Sequence, residues 1–358
     1  MKNNFYGMIQ KISGLLSLSR KKSLEEFFSK VQFKWKWLSN IKPKIYKETG
    51  IHIPSSIIIE VSALCNMSCL GCALHGPEGF VNRPLGNMKK EIWEPVIREI
   101  GSWDKKVSLV THGGGEPLMN PDLRDIISLA KSFSNIEAGF LTNGMLLDES
   151  WAEFVINIGL DWIAFSIDGV TPETHDKIRR KSDFVKVEKN VEMLLALKKK
   201  KQSQIPKVKL NMVAYDTIMD QKDAFVEKWI NKVDEVMVSH YRNPPENKRW
   251  PDVPANKKPC YRLWSQTIVA WDGRLGLCCE DFNIDYSLGR IRADASLLVL
   301  WNGPEFSNIR ILHQKGQFED HPMCKICDSW AEDYARKIFF HGKQYRMVKT
   351  PSQTIYSK

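Results

Sequence analysis

The stretch Cys65-Asn66-Met67-Ser68-Cys69-Leu70-Gly71-Cys72 follows directly on the apolar run Ile57 to Ser62, and its reading decides the fold. Three cysteines in one short loop suit an iron-sulfur cubane that keeps one of its four irons open to a chelating ligand, because such clusters are normally held by four thiolates. A zinc knuckle or a set of buried cysteines is the competing reading. Zinc ligands usually come as paired Cys-x-x-Cys or with nearby histidine, and His75 alone is a weak fourth ligand.

Working outward from this loop, short apolar runs alternate with helical patterns. Strands are expected at Ile57 to Ser62, Val107 to Thr111, Glu137 to Thr142, Trp162 to Ile167, Val208 to Ala214 and Glu235 to His240. Helices are expected at Lys90 to Ile100, Asp122 to Phe133, Glu149 to Ile158, Phe184 to Lys199 and Gln221 to Val233. Strands that are apolar along their whole length belong in a parallel sheet covered on both faces. The pattern therefore predicts an α/β fold: a partial (β/α)6 barrel of the TIM type, with its site at the C-terminal strand ends. The cysteine loop leaves the first strand at that edge.

The expected divisions are a basic extension over 1–50, the barrel over 51–241, a linker over 242–259, a second module over 260–335 and a tail over 336–358. The linker carries five prolines among polar and charged residues. In the second module Asp272-Gly273 separates two apolar runs and predicts a tight type I′ hairpin, followed by a helix over Glu305 to Gln314.

The 358 residues carry a formal charge of +10, and its location matters more than its size. Residues 1–50 hold eleven Lys and Arg against three Glu, so eight of the ten charges lie there and the remainder is nearly neutral. That argues against nucleic acid as a partner. The basic segment interleaves Phe27, Phe28, Phe33, Trp35 and Trp37, which suits either a helix packed on the main domain or a contact with an anionic membrane surface or an acidic partner. No apolar run reaches the ~18 residues of a membrane span, so a soluble, cytoplasmic protein is expected. Eight cysteines in such a chain point to metal or redox use instead of disulfides.

The loop resembles the Cys-x3-Cys-x2-Cys signature of the radical S-adenosylmethionine (SAM) superfamily. One β/α unit later comes Gly113-Gly114-Gly115-Glu116-Pro117, which looks like the family's Gly-Gly-Glu-Pro loop for the methionyl amino group of SAM. The resemblance also implies SAM contacts from Asn143, from Ser166 and Asp168 after the fourth strand, and from Arg179, a guanidinium suited to the methionyl carboxylate. Cys260, Cys278, Cys324 and Cys327 make a second, closed set of four, for which structural zinc is an alternative on composition alone. The pattern looks like a twitch domain, the shortened SPASM module, and implies one auxiliary [4Fe-4S] cluster beside the [4Fe-4S] cluster of Cys65, Cys69 and Cys72.

The implied activity is reductive cleavage of SAM to a 5′-deoxyadenosyl radical, with electrons from a donor such as flavodoxin or ferredoxin. Twitch enzymes resembling this one oxidise a secondary alcohol, so oxidation of a carbohydrate or cyclitol is the leading expectation. Peptide modification by a maturase is the alternative, and a non-catalytic metal-binding protein is disfavoured by the intact glycine-glutamate loop. Cys279 is left over when both sets are filled. Its side chain should face away from that of Cys278. It reads as a small buried hydrophobe, or as the hydrogen-atom donor of a radical epimerase.

Overall fold

The computed structural model describes residues 52–241, 250, 252–341 and 345–358. Contacts divide the chain into residues 1–51 and 52–358, and only the second unit is described below. The basic extension, and residues 242–249 and 251 of the expected linker, lie outside the described residues.

Six strands run parallel in chain order: β1 (Ser56–Ile59), β2 (Val107–Val110), β3 (Ile136–Thr142), β4 (Trp162–Ser166), β5 (Lys207–Ala214) and β6 (Glu235–His240). Between them lie α1 (Lys90–Gly101), α2 (Leu123–Lys131), α3 (Glu149–Asn157), α4 (Pro172–Ile178), α5 (Phe184–Lys200) and α6 (Lys222–Trp229). This is the partial barrel of the sequence reading. Its core takes one fully buried residue from each strand, such as Ile57, Leu109, Phe140, Ile163, Leu210 and Val236. Each such side chain contributes about 1.5–3 kcal/mol of burial.

Helix starts follow local chemistry. Asp148 accepts a hydrogen bond from the Trp151 amide at 2.8 Å to open α3, and Asp183 does the same for Lys186 at 3.0 Å to open α5. Helix α4 has no counterpart among the expected helices. At seven residues it is too short to show a period, although Thr171 caps it and Pro172 fills its first turn.

The second module contains β7 (Gln266–Val269), β8 (Leu275–Gly276), α7 (Leu297–Trp301), α8 (Pro304–Lys315) and α9 (Pro322–Ile326). Its hairpin does not stand apart from the barrel, because β7 pairs in parallel with β1, from Ser56 opposite Gln266 to Ile59 opposite Val269. The turn differs from the expected type I′. Gly273 has φ +87°, but Asp272 is not among the residues with positive φ. The Gly273 amide donates to Ala270 O, making a three-residue connection with glycine at its left-handed position. Asp272 instead turns its carboxylate onto Arg274, accepting from the amide at 3.1 Å and from Nε at 2.8 Å.

Residues 336–358, expected as a tail, form three strands: β9 (Lys337–His341), β10 (Tyr345–Lys349) and β11 (Gln353–Ser357). Strand β11 pairs antiparallel with β6, so the tail extends the far edge of an eleven-stranded sheet. The polar residues of β10 and β11 suit antiparallel strands with one solvated face, and in sequence they resemble a surface tail, while the outermost strand β9 carries exposed Phe339 and Phe340. No helix among the described residues is long and apolar enough to cross a membrane.

Candidate functional site

The cysteine loop is tied down on three sides. Ser68 N donates to Arg180 O at 3.1 Å and Leu70 N to Ile178 O at 2.9 Å, anchoring it to the end of α4. Asn143 Nδ2 donates to Asn66 Oδ1 at 2.8 Å from the end of β3. His75 Nε2 is 3.0 Å from Ala63 O, so the loop's own histidine is committed to the backbone. All three thiols are partly exposed, and burial pushes the Cys65 pKa up to about 11 and that of Cys69 above its usual value.

The glycine loop lies directly against the cysteine loop. Gly115 N donates to Ser62 O at 3.1 Å and Glu116 N to Leu64 O at 2.8 Å. A Cβ on Gly115 would sit 2.2 Å from Leu64 O, so only glycine permits this approach. Glu116 is buried, and its carboxylate accepts from Thr142 Oγ1 at 2.7 Å, Asn143 N at 2.8 Å and Leu118 N at 3.2 Å. Burial raises its pKa to about 7, against the pull of those donors. Glu116 thus binds the ends of β2 and β3 together, and Pro117 starts the turn that follows.

Across the rim, Ser166 ends β4 and Asp168 forms an ion pair with Arg179, Oδ2 to Nε at 2.8 Å. Asp168 Oδ1 also accepts from Val213 N at 2.7 Å, and the Asp168 amide donates to His175 Nδ1 at 3.1 Å. Asp168 is therefore a positioner of Arg179, whose positive charge acts on the Cys69 thiol. Tyr215 belongs to the same corner and was missed in the sequence. A Cβ on Gly71 would lie 2.3 Å from its hydroxyl, and its ring packs 4.5 Å from that of Tyr241. No local motif marks either tyrosine; both simply follow strand ends.

The second cysteine set converges. Cys260, Cys278, Cys324 and Cys327 line one cavity with Lys257, Arg262 and His313. Burial drives the Cys260 and Cys324 pKa values up to about 12. Thiols this reluctant to ionise become thiolates on binding iron, with release of protons. Among the described residues no three His, Cys, Asp or Glu side chains gather as the ligands of one ion would. A cubane makes no such demand, since each thiolate binds a different iron.

A larger cavity, about 420 Å³, is lined by Cys72, Gly113 and Gly114 together with Cys279 and Asp281. Cys278 and Cys279 line different cavities, but they lie past β8 in a turn closed by Asp281 N donating to Cys278 O at 3.1 Å, and not on the hairpin strand whose alternation the sequence suggests. Cys279 is not sealed among apolar groups. It is partly exposed and accepts a hydrogen bond from Arg262 Nη1 at 2.9 Å, while burial lifts its pKa to about 11 and keeps it a thiol.

The same cavity is also lined by residues that the sequence reading did not single out. Glu60, at the end of β1, receives Arg83 Nη1 at 2.8 Å and Nη2 at 2.5 Å, Gly114 N at 2.8 Å and Trp271 N at 3.2 Å. One carboxylate therefore joins the first strand, the glycine loop and the hairpin turn. The clue was a lone acid closing an apolar run. His112, just before the glycines, accepts from Leu141 N through Nδ1 at 3.1 Å, and burial lowers its pKa to about 4.

Two family models match the chain: the Radical SAM superfamily over residues 59–227 and an iron-sulfur cluster-binding domain, SPASM, over residues 260–328. The chain carries a radical SAM domain followed by a SPASM iron-sulfur cluster-binding domain. It is 34% identical over 139 residues to a probable GTP 3′,8-cyclase of Methanosarcina mazei, 38% of each chain. It is 30% identical over 125 residues to the PqqA peptide cyclase of Gluconobacter oxydans, 35% of this chain and 33% of that one. The chain thus spans about a third to a half of the length of these curated relatives. Its fold is similar to that of BtrN in complex with AdoMet and 2-DOIA, with TM-score 0.53 and 18% identity over 76% of this chain and 92% of that one. SuiB of Streptococcus suis bound to S-adenosylmethionine is also similar, with TM-score 0.60 and 16% identity over 93% and 84% of the two chains.

A radical SAM enzyme of this composition carries a radical SAM [4Fe-4S] cluster, an auxiliary [4Fe-4S] cluster and SAM. The donor sets fit: three thiols in one loop beside a buried carboxylate and a guanidinium, and four thiols around one cavity. If Glu116 and Arg179 hold charged groups of SAM, Glu116→Ala and Arg179→Ala should each weaken SAM binding roughly ten- to hundredfold, the equivalent of about 1.5–3 kcal/mol for a charged hydrogen bond. Iron content should stay unchanged. Equilibrium binding to the reconstituted variants checks this, and unaltered affinity in both removes these roles.

Proposed function

We propose that this radical SAM enzyme takes a hydrogen atom from a C–H bond of a carbohydrate or cyclitol and returns one from Cys279, giving an epimer. In this reading Cys65, Cys69 and Cys72 hold the radical SAM cluster, and Cys260, Cys278, Cys324 and Cys327 hold the auxiliary one. When bound, the reduced cluster and SAM supply the 5′-deoxyadenosyl radical that abstracts the hydrogen atom. The supporting observation is the position of Cys279 on the wall of the cavity that also takes in Cys72 and Gly114, while Cys278 lines the other cavity.

Return of the hydrogen atom breaks the Cys279 S–H bond and forms a C–H bond on the substrate. The resulting thiyl sulfur needs one electron and one proton, for which a flavodoxin- or ferredoxin-type donor and water are the sources. Its raised pKa keeps Cys279 in the thiol form that this step uses. The cavity wall joins aromatic faces, Phe80 and Phe282, with carboxylates, Glu78 and Asp281, a combination suited to a polyhydroxylated ring. Eight free cysteines suit a reducing compartment, for which the cytoplasm is our inference.

Incubation with SAM and candidate sugars, cyclitols and peptides in heavy water tests the reading. The expected product has the mass of the substrate plus one deuterium at the target carbon. Cys279→Ala should keep both clusters and lose the product. A product two hydrogens lighter, still formed by Cys279→Ala, would instead establish the alcohol oxidation that the sequence led us to expect. A modified peptide would give the maturase reading.

A further inference from the structure

His313 stands on α8 beside the second cysteine set and is 1% exposed. Its Nδ1 accepts a hydrogen bond from the Cys260 amide at 3.1 Å, which fixes the proton of the neutral ring on Nε2. The edge-on ring of Phe318, 5.1 Å away, helps to fix its orientation. Nε2 is buried and has no hydrogen-bond partner. A buried donor without an acceptor costs about 1–3 kcal/mol, so its presence calls for an acceptor that the described residues do not provide.

His313 lines the cavity shared by Cys260, Cys278, Cys324 and Cys327. Other polar groups of that wall are engaged elsewhere: Lys257 Nζ with Cys324 O and Lys325 O, Arg262 Nη1 with Cys279 and Glu280, and Ser329 Oγ with Glu280 Oε1. Among the described residues lining the cavity, His313 Nε2 is the buried side-chain nitrogen left without a partner.

We propose that His313 Nε2–H donates a hydrogen bond to a sulfur of the auxiliary cluster and holds its reduction potential above what four thiolates alone would set. This rests on the reading of the four cysteines as ligands. Reduction adds negative charge to the cluster, so a donor aimed at sulfur favours the reduced form. His313 is a tuning residue; it touches the cluster, not the substrate.

The test uses the full chain with Cys65, Cys69 and Cys72 replaced by alanine, so that any cubane is the auxiliary one. If no cluster assembles there, the ligand reading fails before the proposal is reached. With a cluster present, its midpoint potential is read by EPR-monitored titration. His313→Asn keeps an acceptor for the Cys260 amide but loses the Nε2 donor, and should shift reduction about tenfold, or 59 mV lower for a one-electron couple. His313→Gln, which retains a donor near the Nε2 position, should stay close to the parent value. An unchanged potential in His313→Asn with full iron overturns the proposal. Should His313→Asn lose its cluster, pulsed EPR of the reduced parent carrying 15N-histidine and His321→Asn decides, since His313 is then the histidine at the cavity. Coupling to a histidine nitrogen and an exchangeable proton is expected, and absence of both overturns the proposal.

Discussion

Replacing Cys65, Cys69 and Cys72 together by alanine should remove about four of about eight irons per chain and abolish SAM cleavage entirely, because a radical SAM enzyme has no second place to reduce the sulfonium. The remaining four irons should persist, since Cys260, Cys278, Cys324 and Cys327 line a separate cavity. Iron analysis after anaerobic reconstitution and assay for 5′-deoxyadenosine check both halves. Residual cleavage would refute the assignment of this loop, and stoichiometric zinc in the remaining site would refute the second cluster.

Glu60→Ala should be the most destabilising single change in the barrel. The carboxylate and the Arg83 guanidinium are both nearly inaccessible, with side-chain exposures of 1% and 6%. Removing Glu60 leaves a buried cation unpaired and strips an acceptor from Gly114 N and Trp271 N. Breaking such a pair from one side costs about 3–5 kcal/mol. The urea midpoint should fall accordingly, with a smaller loss for Glu60→Gln, which keeps the shape and an acceptor. A loss below about 1 kcal/mol would mean that solvent screens the pair as it does at a surface. The glycine loop should also loosen, so SAM binding is expected to weaken in Glu60→Ala even where the cluster assembles.

The lone carboxylate of Glu60 shows where local sequence stops being informative. Its partners lie 23, 54 and 211 positions away in the chain, and nothing near residue 60 announces them. His313 is a similar case, with the Cys260 amide 53 positions distant. The role of Glu60 exists only once the sheet has brought β1, the glycine loop and β7 side by side.

By itself the sequence determined the six parallel strands, because apolar runs of strand length alternating with helical periods have one economical packing. It also determined that Cys65, Cys69 and Cys72 lie close together, and likewise Cys324 and Cys327, since short spacings within one loop or one pair survive any folding, whereas folding brings Cys260 and Cys278 to that second pair. It did not determine how Cys278 and Cys279 are placed, since they lie in a turn and not on the expected hairpin strand. Only the tertiary structure decided which cavity each of them faces, that the hairpin joins the barrel through β1, and that the last residues close the other edge of the sheet through β11. Strand pairing is chosen by hydrogen-bond partners distant in the chain, and β10 and β11, polar over much of their length, carry no local mark to separate them from a solvated tail.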